Sequence, residues 1–244
     1  MAKTKDRTWQ QKFMDVFKIL TRSRQNWEVS SDFVHLAACS ISNTLDMSHY
    51  DEREERYMRI ISRYTKEEAN LFSELLAITT MALEENPEQD FLGQIHQGEL
   101  ALGNSAAGSV YTPYNVGRLM SELNCGDLLP KIMKEKYVMV NDCCCGAGCL
   151  LLAFANTVRD KGINYQEKVF FIAQDIDATA AMSCYIQMSL LGCPGYVIVG
   201  NTLSNEDPRP ENTWYTPFYF YQIWAGRREM EHWKKVFKIL LNAA

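Results

Sequence analysis

Asp142, Gly146, Gly148 and Asp175 are the residues whose types and spacing could do chemistry together. Asp142 closes a short apolar run, Val138 to Val140, that reads as a buried strand. Gly146-Ala147-Gly148 is a glycine turn, and Cys149 to Ala155 begins an apolar, helix-competent run. Strand, glycine turn and helix start are the parts of a nucleotide-binding crevice, because glycine admits close backbone approach and a helix N-terminus attracts anions. A carboxylate beside such a turn can hold a ligand's amino group. A second one, after the next strand, can take two ribose hydroxyls in paired hydrogen bonds.

Several ligand classes drop out. A dinucleotide fingerprint needs a third glycine where Leu151 stands, and no Lys-Ser or Lys-Thr follows the turn as a phosphate loop requires. Cys143, Cys144, Cys145 and Cys149 crowd one turn, and thiolates bind zinc. Adjacent residues in an extended segment point to opposite sides, however, and no second Cys pair or His pair completes a site. Buried small-residue packing is the expected role, and no metal is assigned. His35, His96 and His232 each lie in expected helices and are assigned no role.

The elements that must position these residues fall into two parts. Residues 1–105 read as helical. One helix carries Trp9, Phe13, Val16 and Leu20 on one face, and a second, capped by Ser31 or Asp32, carries Phe33, Leu36 and Ile41. A third opens at the charged run Asp51 to Arg56, and a fourth follows the capping box Thr65-Lys-Glu-Glu68. Pro87 interrupts that pattern, and a helix from Phe91 to Leu102 follows. The small-residue loop from Gly103 to Ser109 marks a boundary, so residues 106–244 form the second part. There Thr112 and Pro113 can start a helix through Val116, Leu119, Met120 and Leu123 that Gly126 ends. Strands at Tyr137 to Asn141, Lys168 to Ala173 and Tyr196 to Val199 then alternate with helices, which predicts an α/β fold with a partial parallel sheet. The aromatic segment from Trp214 to Trp224 reads either as a buried strand or as an interaction surface.

Four stretches in this order resemble the adenine-specific DNA methyltransferase family of type I restriction–modification systems, the modification subunit: Gly108-Ser-Val-Tyr-Thr-Pro113, Asp142-Cys-Cys-Cys-Gly-Ala-Gly148, Gln174-Asp-Ile-Asp177 and Gly200-Asn-Thr-Leu203. The resemblance implies a Rossmann-like methyltransferase core that binds S-adenosylmethionine, preceded by an all-helical N-terminal domain, with DNA as partner. Tyr111, Thr112 and Pro113 would line the methionine end of the cofactor. Asp142, Cys145, Gly146 and Gly148 would form its turn, Asp175 would hold the ribose and Ile176 would lie on the adenine. Asn201 stands where the family usually has an aspartate that accepts from the adenine amine.

The chain departs from the family at the catalytic motif. Members that methylate adenine carry an Asn/Asp-Pro-Pro-aromatic segment that holds the flipped base. The nearest stretch here, Thr216-Pro217-Phe218-Tyr219, has one proline and a threonine in place of the amide or carboxylate. It reads as an apolar strand with a proline, and catalysis is expected to be absent or to depend on a partner chain that supplies catalytic or recognition elements. The alternatives are a non-catalytic DNA-associated or assembly module that keeps the fold, and a small-molecule methyltransferase with an aromatic pocket.

Composition narrows the setting. A net charge of −5 argues against binding nucleic acid through bulk positive charge. Arg227-Arg228 and Lys234-Lys235, interleaved with Trp224 and Trp233, could still contact DNA, although a solvated basic helix face is the simpler reading. No stretch approaches the roughly 20 apolar residues of a membrane span. The charged start, Met1 to Arg7, has no apolar core behind it, so a cytoplasmic protein with reduced thiols is expected.

Overall fold

Local signals at helix starts decide much of the N-terminal architecture. The computed structural model describes residues 7–99, 112–204, 209–221, 223–230 and 234, with backbone alone at 98, 99, 127 and 128. Helix α1, Trp9–Leu20, is capped by Thr8 and buries Phe13, Val16, Phe17 and Leu20. α2, Asn26–Ser42, begins earlier than expected, after Gln25, which makes no side-chain cap. Asp32, an expected cap, instead lies inside α2 and is buried. Its carboxylate accepts from Arg63 at 2.5 Å and from the Tyr64 hydroxyl at 2.6 Å, a tertiary use that outweighs its capping preference. α3, Tyr50–Ile61, opens on Asp51 and Glu52, and α4, Lys66–Glu85, carries the complete Thr65/Glu68 capping box.

Two helices differ from the sequence expectation. The segment from Phe91 divides into a single turn, α5 (Phe91–Gln94), and a π-helical stretch, Ile95–Glu99; Leu102 lies outside the described residues. α6, Tyr114–Lys134, starts after Pro113 with no side-chain cap and runs through both Gly126 and Pro130. Proline in a helix loses the bond to the carbonyl four residues back, here that of Gly126. Packing on α7 (Cys149–Asp160) keeps the helix going, through buried Gly117, Ser121, Cys125 and Ile132. The apolar stripe faces out instead: Leu119 is 61% and Leu123 71% exposed.

The sheet has the order β1-β2-β3-β4 among the described residues, with β1 Val138–Asp142, β2 Val169–Asp175, β3 Gly195–Val199 and β4 Thr213–Tyr215. The first three strands are parallel, and register pairs Asp142 with Ala173 and Asp175 with Val199. The turn α8, Tyr165–Lys168, leads into β2, and α9, Ala178–Leu190, joins β2 to β3. β4 runs antiparallel to β3, pairing Tyr196 with Tyr215. The aromatic segment is therefore not one strand, and it leaves Tyr221 62% exposed while Trp214 and Trp224 are buried. It divides into β4, a 3-10 turn at Pro217–Phe220 and helical residues 223–230.

The helices pack onto the sheet layer through α2 against α9, and one buried core extends from Phe13 and Phe33 to Tyr185 and Trp214. A buried ion pair supports this joint. Arg53 reaches Asp46 Oδ2 at 2.6 Å and the Thr213 carbonyl at 2.9 Å, and it lies 4.2 Å from the Trp214 ring centre. The boundary expected at residue 105 lies outside the described residues.

Of the groups that could contact DNA, Lys234 is exposed, while Trp224, Arg227 and Arg228 are used in packing. Trp224 is buried and donates to the Gln166 carbonyl at 2.7 Å. Arg227 donates to the Glu167 carbonyl at 2.5 Å, and Arg228 stacks 3.7 Å above Tyr219. Trp233 and Lys235 lie outside the described residues. No helix among the described residues is long and apolar enough to cross a membrane.

Candidate cofactor site

The turn between β1 and α7 is held by backbone bonds, and only glycine fits well at its last residue. Cys145 N–H donates to the Gln174 carbonyl at 2.9 Å, tying the turn to β2, and Gly148 N–H closes it onto the Cys145 carbonyl at 2.8 Å. Gly148 is the residue before α7 and has φ +99°, a left-handed conformation that favours glycine. A side chain there would also stand 2.8 Å from the Cys184 sulfur, so backbone strain and lack of space both select glycine.

Two carboxylates flank this turn from adjacent strand ends. Asp175 accepts from Gly146 N–H at 2.8 Å through one oxygen and from Asp177 N–H at 2.9 Å through the other. Each carboxylate oxygen has two acceptor sites, so capacity for ligand hydroxyls is left. Asp177, two residues on, instead caps α9 by accepting from Thr179 N–H at 2.8 Å. Asp142 accepts from Cys144 N–H at 3.2 Å through Oδ1, while its Oδ2 is buried and has no hydrogen-bond partner among the described residues. Burial pushes the Asp142 carboxyl up from its ordinary range; the Cys144 N–H opposes that, and the charge of Asp175 adds to it. A buried carboxylate oxygen without a donor is costly and suits a cationic or N–H-bearing ligand.

The other expected residues sit at different distances from this centre. Cys145 is buried in the turn, with its thiol on the Gly146 carbonyl at 3.4 Å. Ile176, just beyond β2, is 71% exposed. Asn201 is exposed after β3, and its Oδ1 accepts from Leu203 N–H at 3.0 Å. The neighbouring Thr202 hydroxyl donates to the Cys143 carbonyl at 2.7 Å, which brings the segment after β3 to the turn. Thr112 and Pro113 precede α6, whose Gly117 packs on Cys149, and neither bonds to the turn among the described residues. Tyr111 lies outside them. Beside Asp142 a cleft of about 430 Å³ opens between α6, β1 and α7, with Ser121 and Asn124 as polar walls and Met120, Leu150 and Phe154 as apolar ones.

The cysteines divide by environment, Cys143 and Cys144 exposed, Cys145 and Cys149 buried. Burial raises the Cys149 thiol to about 12. No group of three or more metal-ligating side chains gathers among the described residues. Thr202 supports the turn from within the Gly200-Asn-Thr-Leu203 stretch, whereas Gln187 does so without any signal in the sequence: buried on α9, it donates to the Ala147 carbonyl at 2.9 Å.

The stretch Thr216-Pro217-Phe218-Tyr219 is placed away from all of this. Thr216 is buried; its hydroxyl donates to the Cys193 carbonyl at 2.7 Å and accepts from Gly195 N–H at 3.0 Å. Because β4 is antiparallel, Thr216 lies at the start of β3, about 13 Å along the sheet from the strand ends that carry the turn.

Comparison with known proteins matches this chain to one family. No curated protein and no solved structure matches it. A family model described as N-6 DNA methylase matches residues 88–225, more than half of the chain, from the residues before α5 through the turn, the sheet and the aromatic segment. The chain belongs to the N-6 DNA methylase family.

Proposed function

We propose that this chain is an S-adenosylmethionine-binding component of DNA adenine methylation whose transfer step needs elements from a partner chain. The observation that carries the cofactor reading is the buried Oδ2 of Asp142 beside the Gly146–Gly148 turn, unpartnered among the described residues. S-adenosylmethionine, when bound, supplies an activated methyl group on a sulfonium centre. Asp142 would take its ammonium, Asp175 its ribose hydroxyls, and Gly146 and Gly148 would let the backbone approach it. Ile176, exposed after β2, offers an apolar surface for the adenine ring. The reading divides the chain into a helical part, residues 1–105, and a Rossmann-like cofactor-binding part, residues 106–244.

The dependence on a partner rests on Thr216. A residue that holds a flipped adenine must present a free acceptor near the cofactor. Thr216 is buried, bonded on both sides of its hydroxyl and at the other end of the sheet. The same observation favours a second reading, a DNA-associated module that keeps the fold without the reaction. Calorimetric titration with S-adenosylmethionine separates them: the first predicts saturable binding that Asp175→Ala weakens, and the second predicts none. A methyl-transfer assay on DNA with the chain alone completes the test. Labelled adenine in that assay would sink the partner requirement.

A further inference from the structure

A buried amide bridge runs from the N-terminal helices to the glycine turn. Gln187 Nε2 donates to Asp90 Oδ1 at 2.7 Å and to the Ala147 carbonyl at 2.9 Å, while Gln187 Oε1 accepts from Leu92 N–H at 3.1 Å. Asp90, Gln187 and Ala147 are all buried, so water cannot replace these bonds. Asp90 is itself fixed as the cap of α5, accepting from Gly93 N–H at 2.9 Å. Residue 93 must be glycine for that, since a Cβ there would lie 2.0 Å from the Asp90 carboxylate.

The consequence falls on the Ala147–Gly148 peptide. Its carbonyl is held by Gln187, its N–H by the Cys145 carbonyl, and the next residue starts α7. One turn earlier on α9, Cys184 packs under Gly148. The turn therefore rests on one face of α9, and that face is locked to the helical part through Asp90.

Resting on the cofactor reading above, we infer that Asp90 and Gln187 are positioning residues that set the glycine turn in its cofactor-binding geometry, and that the N-terminal helices thereby control cofactor affinity. Neither side chain needs to touch the cofactor.

The test uses the full chain with two readouts, hydrogen exchange of the amides from Gly146 to Leu151 and calorimetric affinity for S-adenosylmethionine. Gln187→Met keeps the side-chain length and removes every bond; exchange at the turn should accelerate about tenfold or more and affinity should fall about tenfold. Asp90→Asn keeps an oxygen towards Gln187 and should retain most of both. Asp32→Asn, at a buried carboxylate paired with Arg63 and Tyr64, is the control: it should lower Tm and leave both readouts unchanged. Where Gln187→Met does not fold, Gln187→Asn takes its place, being one methylene too short to span Asp90 and Ala147 together. Unchanged turn exchange in the Gln187 variant, or an equal effect in the control, overturns the inference. If the wild type takes up no cofactor, the proposed function falls on its own, and the exchange result still decides whether the bridge sets the turn.

Discussion

Asp175, at the end of β2, accepts the Gly146 N–H at 2.8 Å and so locks the glycine turn of one strand to the acidic end of its neighbour. The carboxylate assigned to the ribose thus has a structural task before any ligand arrives. Asp175→Ala should lose stability as well as affinity, by about 1.5–3 kcal/mol for the charged hydrogen bond. Asp175→Asn keeps an acceptor for Gly146 and should recover most of the stability but not the affinity. Denaturant melts beside cofactor titration separate the two effects.

Asp142 should behave in the opposite sense. Its Oδ2 is buried without a partner among the described residues, and burial raises its carboxyl above the ordinary range. A group whose folded pKa is raised favours the fold while protonated and loses that contribution as pH rises through the folded value. Asp142→Asn should therefore melt higher than the wild type at neutral pH while it binds cofactor more weakly.

The same shift sets a pH dependence of binding. An ammonium ligand needs Asp142 ionised, so affinity should fall on acidification. The fall should begin at higher pH than an unperturbed aspartate would give, because the carboxyl is raised. Titrations across the acidic range check this, with Asp142→Asn as the variant whose residual affinity stays flat.

Gly148→Ala should cost at least about 1–2 kcal/mol from the left-handed backbone alone, with the contact to Cys184 added. Cofactor binding should be lost with it. Thermal melts and titration give the two numbers. Gly162→Ala, also at positive φ but with open space around it, isolates the backbone contribution.

Removing one partner of the buried Arg53–Asp46 pair should be severe. Arg53→Met leaves Asp46 buried without its cation, at a cost of about 3–5 kcal/mol, and withdraws the bond to the Thr213 carbonyl. Burial opposes the charge on Asp46, yet hydrogen bonds from Ser48 and Arg53 outweigh it and hold the carboxyl below its ordinary value. That stability is present above the unfolded pKa and is lost as pH falls through the folded one. Acid melts of Asp46→Asn should lack this component.

What could be read in the sequence was what local chemistry decides. The Thr65/Glu68 box, the strand before Asp142 and the glycine turn depend on residues close in the chain and stand where expected, but β1 is an edge strand among the described residues and leaves Met139 66% exposed rather than buried. The division of labour between Asp175 and Asp177 was not legible, because both stand within two residues of the end of β2 and only the fold aims one at the turn. Helix α6 misled for a similar reason: its apolar stripe suggests a buried face, but small residues on the other side let it approach α7 closely, Gly117 against Cys149 above all. Gln187 was invisible because one amide in an apolar helix gives no periodic signal, and its partners Asp90 and Ala147 come from distant parts of the chain.

The central claim is that the turn between Asp142 and Cys149 is a cofactor site. Calorimetric titration of the purified chain with S-adenosylmethionine tests it most directly, with Asp142→Ala in parallel. The wild type should show one saturable site, and the variant an affinity lower by roughly ten- to a hundredfold. Folded wild-type protein that gives only heat of dilution, or a variant that binds as tightly, would contradict it.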